Sequence, residues 1–246
     1  NRNNPTQRLL SYSNRKFNLP GAIARFVWMM AANNRLADIE FYWGLNNMSR
    51  FSDDGYTVPG SSYGARMFNS IPGLDQIQAV IKRLKDDHST RRAAVSIYHP
   101  IDAIRDSKDI PCTFGIFYHI REEKLVSTVI MRSNNAFILL PYNIFEFSLL
   151  AEIIAKEVGV EMGPMYYNAL SMHIYQEHYE KSMEIVNSKT QITDEIRFPA
   201  MPFNPTPMEE VKKLIRLEST IRHISAGLNN SNINEWLKDE IGRAHV

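Results

Sequence analysis

The chain has one thiol, Cys112, and it stands directly after Pro111 at the head of an alternating apolar stretch. Cysteine attacks as its thiolate, so a nucleophilic Cys112 needs positive charge or hydrogen-bond donors beside it and access from solvent. The plainer reading of a lone cysteine is a small core residue. Arg132, at the end of a second apolar stretch, could supply the charge, and Arg132-Ser133-Asn134-Asn135 gathers a cation, a hydroxyl and two amides where ligands commonly bind. Arg91-Arg92 reads either as a solvated pair or as a phosphate clamp, because guanidinium groups bind phosphate oxygens in bidentate fashion. Asn143, just ahead of an apolar helix, reads as an N-cap or as an amide matched to a nucleobase edge. His173 and Tyr175 read as locally satisfied side chains or as a ligand-facing pair.

The elements that must position these residues follow from periodicity. Asn18-Leu19-Pro20 and the spacing of Ile23, Phe26, Val27 and Met30 predict a buried helix from about Pro20 to Ala32. A short helix follows over Leu36 to Trp43, then a polar, turn-rich loop from Asn46 to Ser62 that is long enough to suspect function. Leu74, Ile77, Val80 and Leu84 mark another helix, ending near Asp86-Asp87. Strands are predicted over Ala93 to Tyr98, Thr113 to Ile120 and Leu125 to Met131, the last two a hairpin turning at Arg121 to Lys124. A helix from about Asn143 to Val158 stops at Gly159. Tyr166 to Ser171 reads as a strand, His173 to Val186 as a helix, Pro199 to Pro207 as a connector, and Val211, Leu214, Ile215 and Ile221 as one face of a late helix. The expectation is a mixed α/β (α+β) fold, a large sheet flanked by helices, in a single domain over residues 1 to 246.

Composition narrows the class. The 28 Lys and Arg nearly balance 27 Asp and Glu, and the basic residues are dispersed, so nucleic acid is not an expected partner. A single cysteine excludes an intrachain disulfide and cysteine-based metal sites, which makes a cytoplasmic address the expectation and gives no reason to expect a metal. Apolar runs such as Phe26 to Ala32 are far shorter than the roughly 18 residues of a membrane span, so no membrane segment is expected. The chain opens on Asn1 with neither an initiator Met nor a basic-then-apolar leader, and further residues upstream are an expectation of that start.

Separately these signals are weak; their order is specific. Cys112 after a proline, then Arg132-Ser133, then Pro141-Tyr142-Asn143, then His173-Ile174-Tyr175, with Tyr63-Gly64 and Ser89-Thr90-Arg91-Arg92 upstream, resembles the thymidylate synthase and pyrimidine-nucleotide hydroxymethylase superfamily. The resemblance covers roughly residues 2 to 180. Met131-Arg132-Ser133-Asn134 together with Cys112-Thr113 looks closer to the hydroxymethylase branch, and from about residue 190 the helical C-terminal part does not look like the synthase tail.

The resemblance implies a thymidylate synthase-like sheet and a one-carbon transferase that forms a homodimer. Cys112 would add to C6 of the pyrimidine of UMP or dUMP, so that C5 attacks a one-carbon unit from 5,10-methylenetetrahydrofolate. Arg132 would bind phosphate and lower the thiol pKa, Ser133 would hold the phosphate, and Arg91 and Arg92 would reach a partner's phosphate. Arg2 would be a further phosphate ligand. Asn143 would pair with uracil, His173 and Tyr175 with a sugar hydroxyl, and Tyr63 would assist proton transfer.

Three positions depart from the family pattern. The family's catalytic glutamate, three residues before a tryptophan, falls on Arg25 before Trp28. The aspartate that anchors the pterin falls on Asn135, and a glycine that leaves room for folate falls on Leu139. Arg25 could hold an anion of another donor, neutralise a carboxylate elsewhere in the pocket, or point away. The loop Asn46 to Asp54 also lacks the tryptophans that synthases set beside folate. Hydroxymethyl transfer is therefore expected, with folate-independent chemistry or nucleotide binding, and plain thymidylate synthesis, as alternatives.

Overall fold

A computed structural model describes residues 17–43, 48–188, 201 and 206–230. Helix α1 (Leu19–Met30) starts where Asn18 caps it, the Asn18 Oδ1 accepting the Gly21 N–H at 2.8 Å. Apart from Leu19, Pro20 and Ile23, its residues are buried. Helix α2 (Leu36–Trp43) follows, and then comes an element that the sequence pattern does not announce. Helix α3 (Tyr63–Asn69) has too short a run to display a period, and it begins because the Ser62 hydroxyl caps the Ala65 N–H. Helix α4 (Gln76–Asp86) leads to strand β1 (Ala94–Ser96).

Strands β2 (Thr113–Arg121) and β3 (Lys124–Met131) form the expected hairpin. Its two-residue turn, Glu122-Glu123, holds φ of 51° and 54°, the left-handed pair that a tight hairpin turn requires. Strand β4 (Asn134–Asn135) precedes helix α5 (Leu140–Val158), which stops at Gly159 with φ 90°. The chain returns as β5 (Glu161–Ala169), parallel to β3, giving a mixed sheet of order β1-β2-β3-β5. Strand β6 (Met172–His173), helix α6 (Tyr179–Asn187) and helix α7 (Pro207–Asn230) complete the described elements.

Three expectations are corrected. Strand β5 starts at Glu161, well before Tyr166, because its pairing with β3 begins at Glu161 and Met162 and resumes at Met165 past a bulge at Gly163-Pro164. His173 is in a strand and not at a helix start: the helix begins at Tyr179 after a 3₁₀ turn over Gln176–His178. Asn143 does not cap α5, which starts earlier with Leu139 at the cap and Pro141 in its first turn. Most of the Pro199 to Pro207 connector lies outside the described residues.

One apolar cluster runs through α1, α3, α4, the sheet, α5 and Val211 of α7. The other face of the sheet is different. Phe117, Thr128 and Tyr166 lie in one register row across β2, β3 and β5, with Phe117 and Tyr166 exposed. Among the described residues no helix is long and apolar enough to cross a membrane.

Gly64 sets how closely α3 lies on α1: a Cβ there would fall 1.7 Å from the Met29 carbonyl oxygen. Gly64→Ala should lose at least about 3 kcal/mol, since the obstacle is backbone and cannot rotate aside. A fall in Tm of roughly 6 °C or more in a thermal melt is the expected outcome, and an unchanged Tm would show that the two helices can part freely.

Candidate active site

The hairpin register sets Thr113 against Met131, so Cys112 and Arg132 face each other at its open end, where the Arg132 N–H donates to the Cys112 carbonyl at 2.8 Å. The Arg132 side chain folds back on the segment entering β2. Its Nε donates to the Pro111 carbonyl at 2.8 Å and its Nη2 to the Ile110 carbonyl at 2.9 Å. Two carbonyls thus aim an exposed cation, and a guanidinium has further N–H donors for an anion.

Short parallel pairing of β4 with β6, Asn134 against Met172 and Asn135 against His173, brings the next group in. Ser133 Oγ lies 3.4 Å from His173 Nδ1, and the His173 and Tyr175 rings are 5.1 Å apart. Arg132, Ser133, His173 and Tyr175 are therefore brought together from two chain segments.

Asn143 is 1% exposed in the first turn of α5. Its Nδ2 donates to the Tyr167 hydroxyl at 3.2 Å, which also accepts Asn134 Nδ2 at 2.6 Å. The Oδ1 atoms of Asn134 and Asn143 are buried without a partner, as is Asn135 Nδ2. A buried polar atom left unpaired costs about 1–3 kcal/mol, so three in neighbouring amides offer a ligand hydrogen bonds already arranged.

Arg25, 8% exposed on α1, reaches Glu146 on α5: Nη2 lies 3.1 Å from Oε1 and Nε 3.4 Å from Oε2. Of the three possibilities for Arg25, the structure has it neutralising a buried carboxylate. Burial is the largest single influence and works against the guanidinium, but the Glu146 charge and hydrogen bond together with Tyr63 and Tyr142 outweigh it and raise the Arg25 pKa.

Burial pushes the Cys112 thiol above its ordinary pKa; Arg132 pulls it down and Asp109 adds to the rise. The expected pull of Arg132 is present, but it does not win, and the free thiol is protonated at neutral pH. Tyr63 is also raised, by burial first and then by the charges of Cys112 and Glu146, against a Thr113 hydrogen bond and Arg25. Tyr167 is raised by burial, with Glu146 and Cys112 adding and the Asn143 and Asn134 bonds opposing.

Other expected residues fall elsewhere. Arg91 and Arg92 are exposed between α4 and β1 and line a concavity of about 880 Å³ with Lys82, Arg83 and Thr90, away from Cys112. Arg2 lies outside the described residues. Leu139 stands half-buried at the cap of α5, and Asn135 Oδ1 accepts the Ile138 N–H at 2.6 Å. Among the described residues no cluster of His, Cys, Asp and Glu is grouped for a metal.

Glu146, Tyr167 and Asp109 were not anticipated. The signal for Glu146 was available: a carboxylate between Phe145 and Phe147, three residues after Asn143, on the stretch of the helix that carries Ile144 and Leu149. Tyr167 gave none, since an aromatic residue in a strand is ordinary.

Comparison with known proteins places the chain in a family. The thymidylate synthase family model matches residues 6–219, reaching past the motifs into α7. The chain is 33% identical over 190 residues to the deoxyuridylate hydroxymethyltransferase of Bacillus phage SP01, covering 72% of this chain and 48% of that protein. It is 30% identical over 198 residues to that of Delftia phage PhiW-14, covering 75% and 54%. The chain thus spans about half the length of these two relatives. The crystal structure of the phage T4 thymidylate synthase has a similar fold, with a TM-score of 0.65 at 21% identity over 86% of this chain and 79% of that one.

The raised thiol pKa predicts slow alkylation. Iodoacetamide at pH 7.5 should modify Cys112 more slowly than free cysteine, with the rate still climbing above pH 9, because only the thiolate reacts. Arg132→Ala removes the charge that favours the thiolate and should slow the reaction further, by roughly three- to tenfold. A wild-type rate matching free cysteine would contradict the assignment.

Proposed function

The chain belongs to the thymidylate synthase family, and from that premise we propose that it transfers a one-carbon unit to C5 of a uracil nucleotide, UMP or dUMP. Hydroxymethyl is the proposed substituent, in line with the names of the two phage relatives. The observation that carries this reading is one grouping: Arg132 bonded to the Cys112 backbone, Ser133 next to it against His173, and Asn143, whose Nδ2 shares Tyr167 with Asn134 while its Oδ1 is buried and unpaired.

In this reading the Cys112 thiolate bonds to C6, and the C5–C6 π pair moves to make C5 nucleophilic with charge on O4. For a hydroxymethyl product the C5 proton would leave as the bond from the new carbon to its carrier breaks, water would add to that carbon, and sulfur would then be expelled from C6, restoring the double bond. Arg132 and Ser133 take the phosphate, and His173 and Tyr175 the sugar. With one Nδ2 hydrogen engaged by Tyr167, Asn143 keeps its other for uracil O4 and its unpaired Oδ1 for the N3–H, whereas an aspartate there would only accept, which suits the 4-amino group of cytosine. Tyr63, buried and protonated, is a hydrogen-bond donor for the developing charge.

Strand pairing sets Ala94 opposite Phe117, five residues along β2 from Cys112, with Arg91 and Arg92 further toward the hairpin turn, so a homodimer in which each subunit lends them to its partner is part of the proposal. The exposed Phe117 and Tyr166 row supplies an apolar sheet face for that contact.

Methylenetetrahydrofolate is the one-carbon donor of the family, and the residues here fit it poorly. Asn135 has its Oδ1 committed to the Ile138 N–H, leaving only a donor for a pterin edge that itself presents N–H groups. Leu139 adds bulk at the α5 cap. This favours a second reading, folate-independent chemistry at the same nucleotide site, over plain thymidylate synthesis.

Tritium release from [5-³H]dUMP and [5-³H]UMP, with and without methylenetetrahydrofolate, separates these readings. Release that requires the folate, with a hydroxymethyl product on chromatography, is expected of the first; release without it supports the second. Robust dTMP synthesis would overturn both. Cys112→Ala should abolish release, and Asn143→Asp should shift preference toward cytosine nucleotides by about 1–3 kcal/mol. In sedimentation a monomer at micromolar concentration that still binds nucleotide normally would refute the shared phosphate site.

A further inference from the structure

The other buried carboxylates are tied into the frame. Asp102 is gripped by both terminal nitrogens of Arg66 and accepts the His99 N–H. Asp109 accepts the Gly60 and Ser61 N–H groups and the Ser61 hydroxyl, and Glu152 accepts the Met201 N–H at 2.6 Å. Glu146 is held differently. At 2% exposure, it meets only the Arg25 fork among the described residues, at 3.1 and 3.4 Å, both longer than the usual charge-assisted bond.

Its position faces the proposed chemistry. Glu146 stands three residues after Asn143 on α5 and therefore shares its helix face. Tyr63 from α3 and Tyr167 from β5 each feel both the Glu146 and the Cys112 charge, and Arg25 from α1 feels Glu146, Tyr63 and Tyr142. The carboxylate and thiol charges thus act on the same two phenols.

Chemistry at C5 needs a group that both takes and returns a proton. The two phenols are pushed toward keeping theirs, Arg25 stays charged, Cys112 is engaged with C6, and His173 lies beside Ser133. Resting on the reading of the site as one for uracil C5 chemistry, we propose that Glu146 is the acid–base group for the C5 proton, acting directly or through one water, and that Arg25 is the positioning residue that holds it. The carboxylate has in effect changed helices, from α1 to α5, with the cation taking its former place.

The simplest reaction is complete without any donor. The Cys112 proton passes through water to the carboxylate, sulfur bonds to C6, and the carboxylic acid delivers the proton to C5. In reverse, the carboxylate removes the original C5 hydrogen, its bonding pair rebuilds the double bond, and the S–C6 bond breaks. Exchange at the carboxylic acid then passes the C5 hydrogen to water.

The test is tritium release from [5-³H]UMP and [5-³H]dUMP, assayed with and without methylenetetrahydrofolate. Glu146→Gln should lower kcat at least about 100-fold, the usual worth of an acid–base group, with KM changed less than about threefold. The double variant R25M/E146L is the control for structure, because apolar replacement of a buried ion pair is often neutral or stabilising. It should melt at or above the wild-type Tm and yet be as slow as Glu146→Gln. Glu146→Asp should regain part of the rate. Wild-type release that Glu146→Gln leaves within threefold, or that R25M/E146L retains, would make the pair a structural contact and overturn the proposal. No release from wild type under any of these conditions would instead overturn the C5 reading itself, and this inference with it.

Discussion

The pairing of β2 with β3 is the constraint on which the site depends. Side chains alternate along a strand, so slipping this hairpin by one residue would turn Tyr118, Ile120 and Val129 out of the core and bring Phe117 in. The same slip would part Cys112 from Arg132, whose only link through the sheet is the N–H to carbonyl bond at its open end. Burial of one sheet face therefore specifies the neighbours of the thiol. The tight turn at Glu122-Glu123 reinforces the register from the other end, at a cost of about 1–2 kcal/mol for each left-handed residue that the strand pairing must offset.

Helix α5 is the second positioning element, and it carries polar atoms into an apolar interior. Asn143, Glu146 and Ser148 are all buried on it, among Phe145, Phe147 and Leu150. Asn143 and Asn134 share one phenol oxygen while each keeps an unpaired carbonyl oxygen, and the Arg25–Glu146 pair confines two charges where water is scarce. Neither arrangement is what stability alone would select, since apolar residues of similar volume would serve the core at least as well. Tyr63 is held against Phe147 at a ring distance of 5.7 Å, so the α1–α3 contact at Gly64 and the α5 core share in placing it.

Much of this was legible in the sequence, for physical reasons that can be named. The hairpin showed in two alternating runs, the end of α5 in Gly159, and the thiol, arginine, amide and histidine in an ordered set of motifs. Helix α3 was not legible, because seven residues make too few turns to reveal a period. The extent of β5 was hidden by Gly163-Pro164, which argue against a strand locally and are taken up as a bulge between paired Met162 and Met165. Arg25 stood out as a departure, but its partner is 121 residues away and no local pattern joins them. Tyr167 was silent because its role comes entirely from two amides that fold onto it. Residues that act through distant contacts are the ones that sequence conceals.

That distance in sequence also orders assembly in time. The Cys112–Arg132 contact closes when a local hairpin forms, an event of microseconds, whereas the Arg25–Glu146 pair closes a loop of more than a hundred residues and must wait for α1 to dock on α5. Before docking, Glu146 is a carboxylate in water and loses no hydration. Its desolvation belongs to the step in which α1 docks on α5. A partly folded chain would already hold the thiol beside its arginine while the interior charge is still unborn, so the nucleophile's neighbourhood is kinetically the older half of the site.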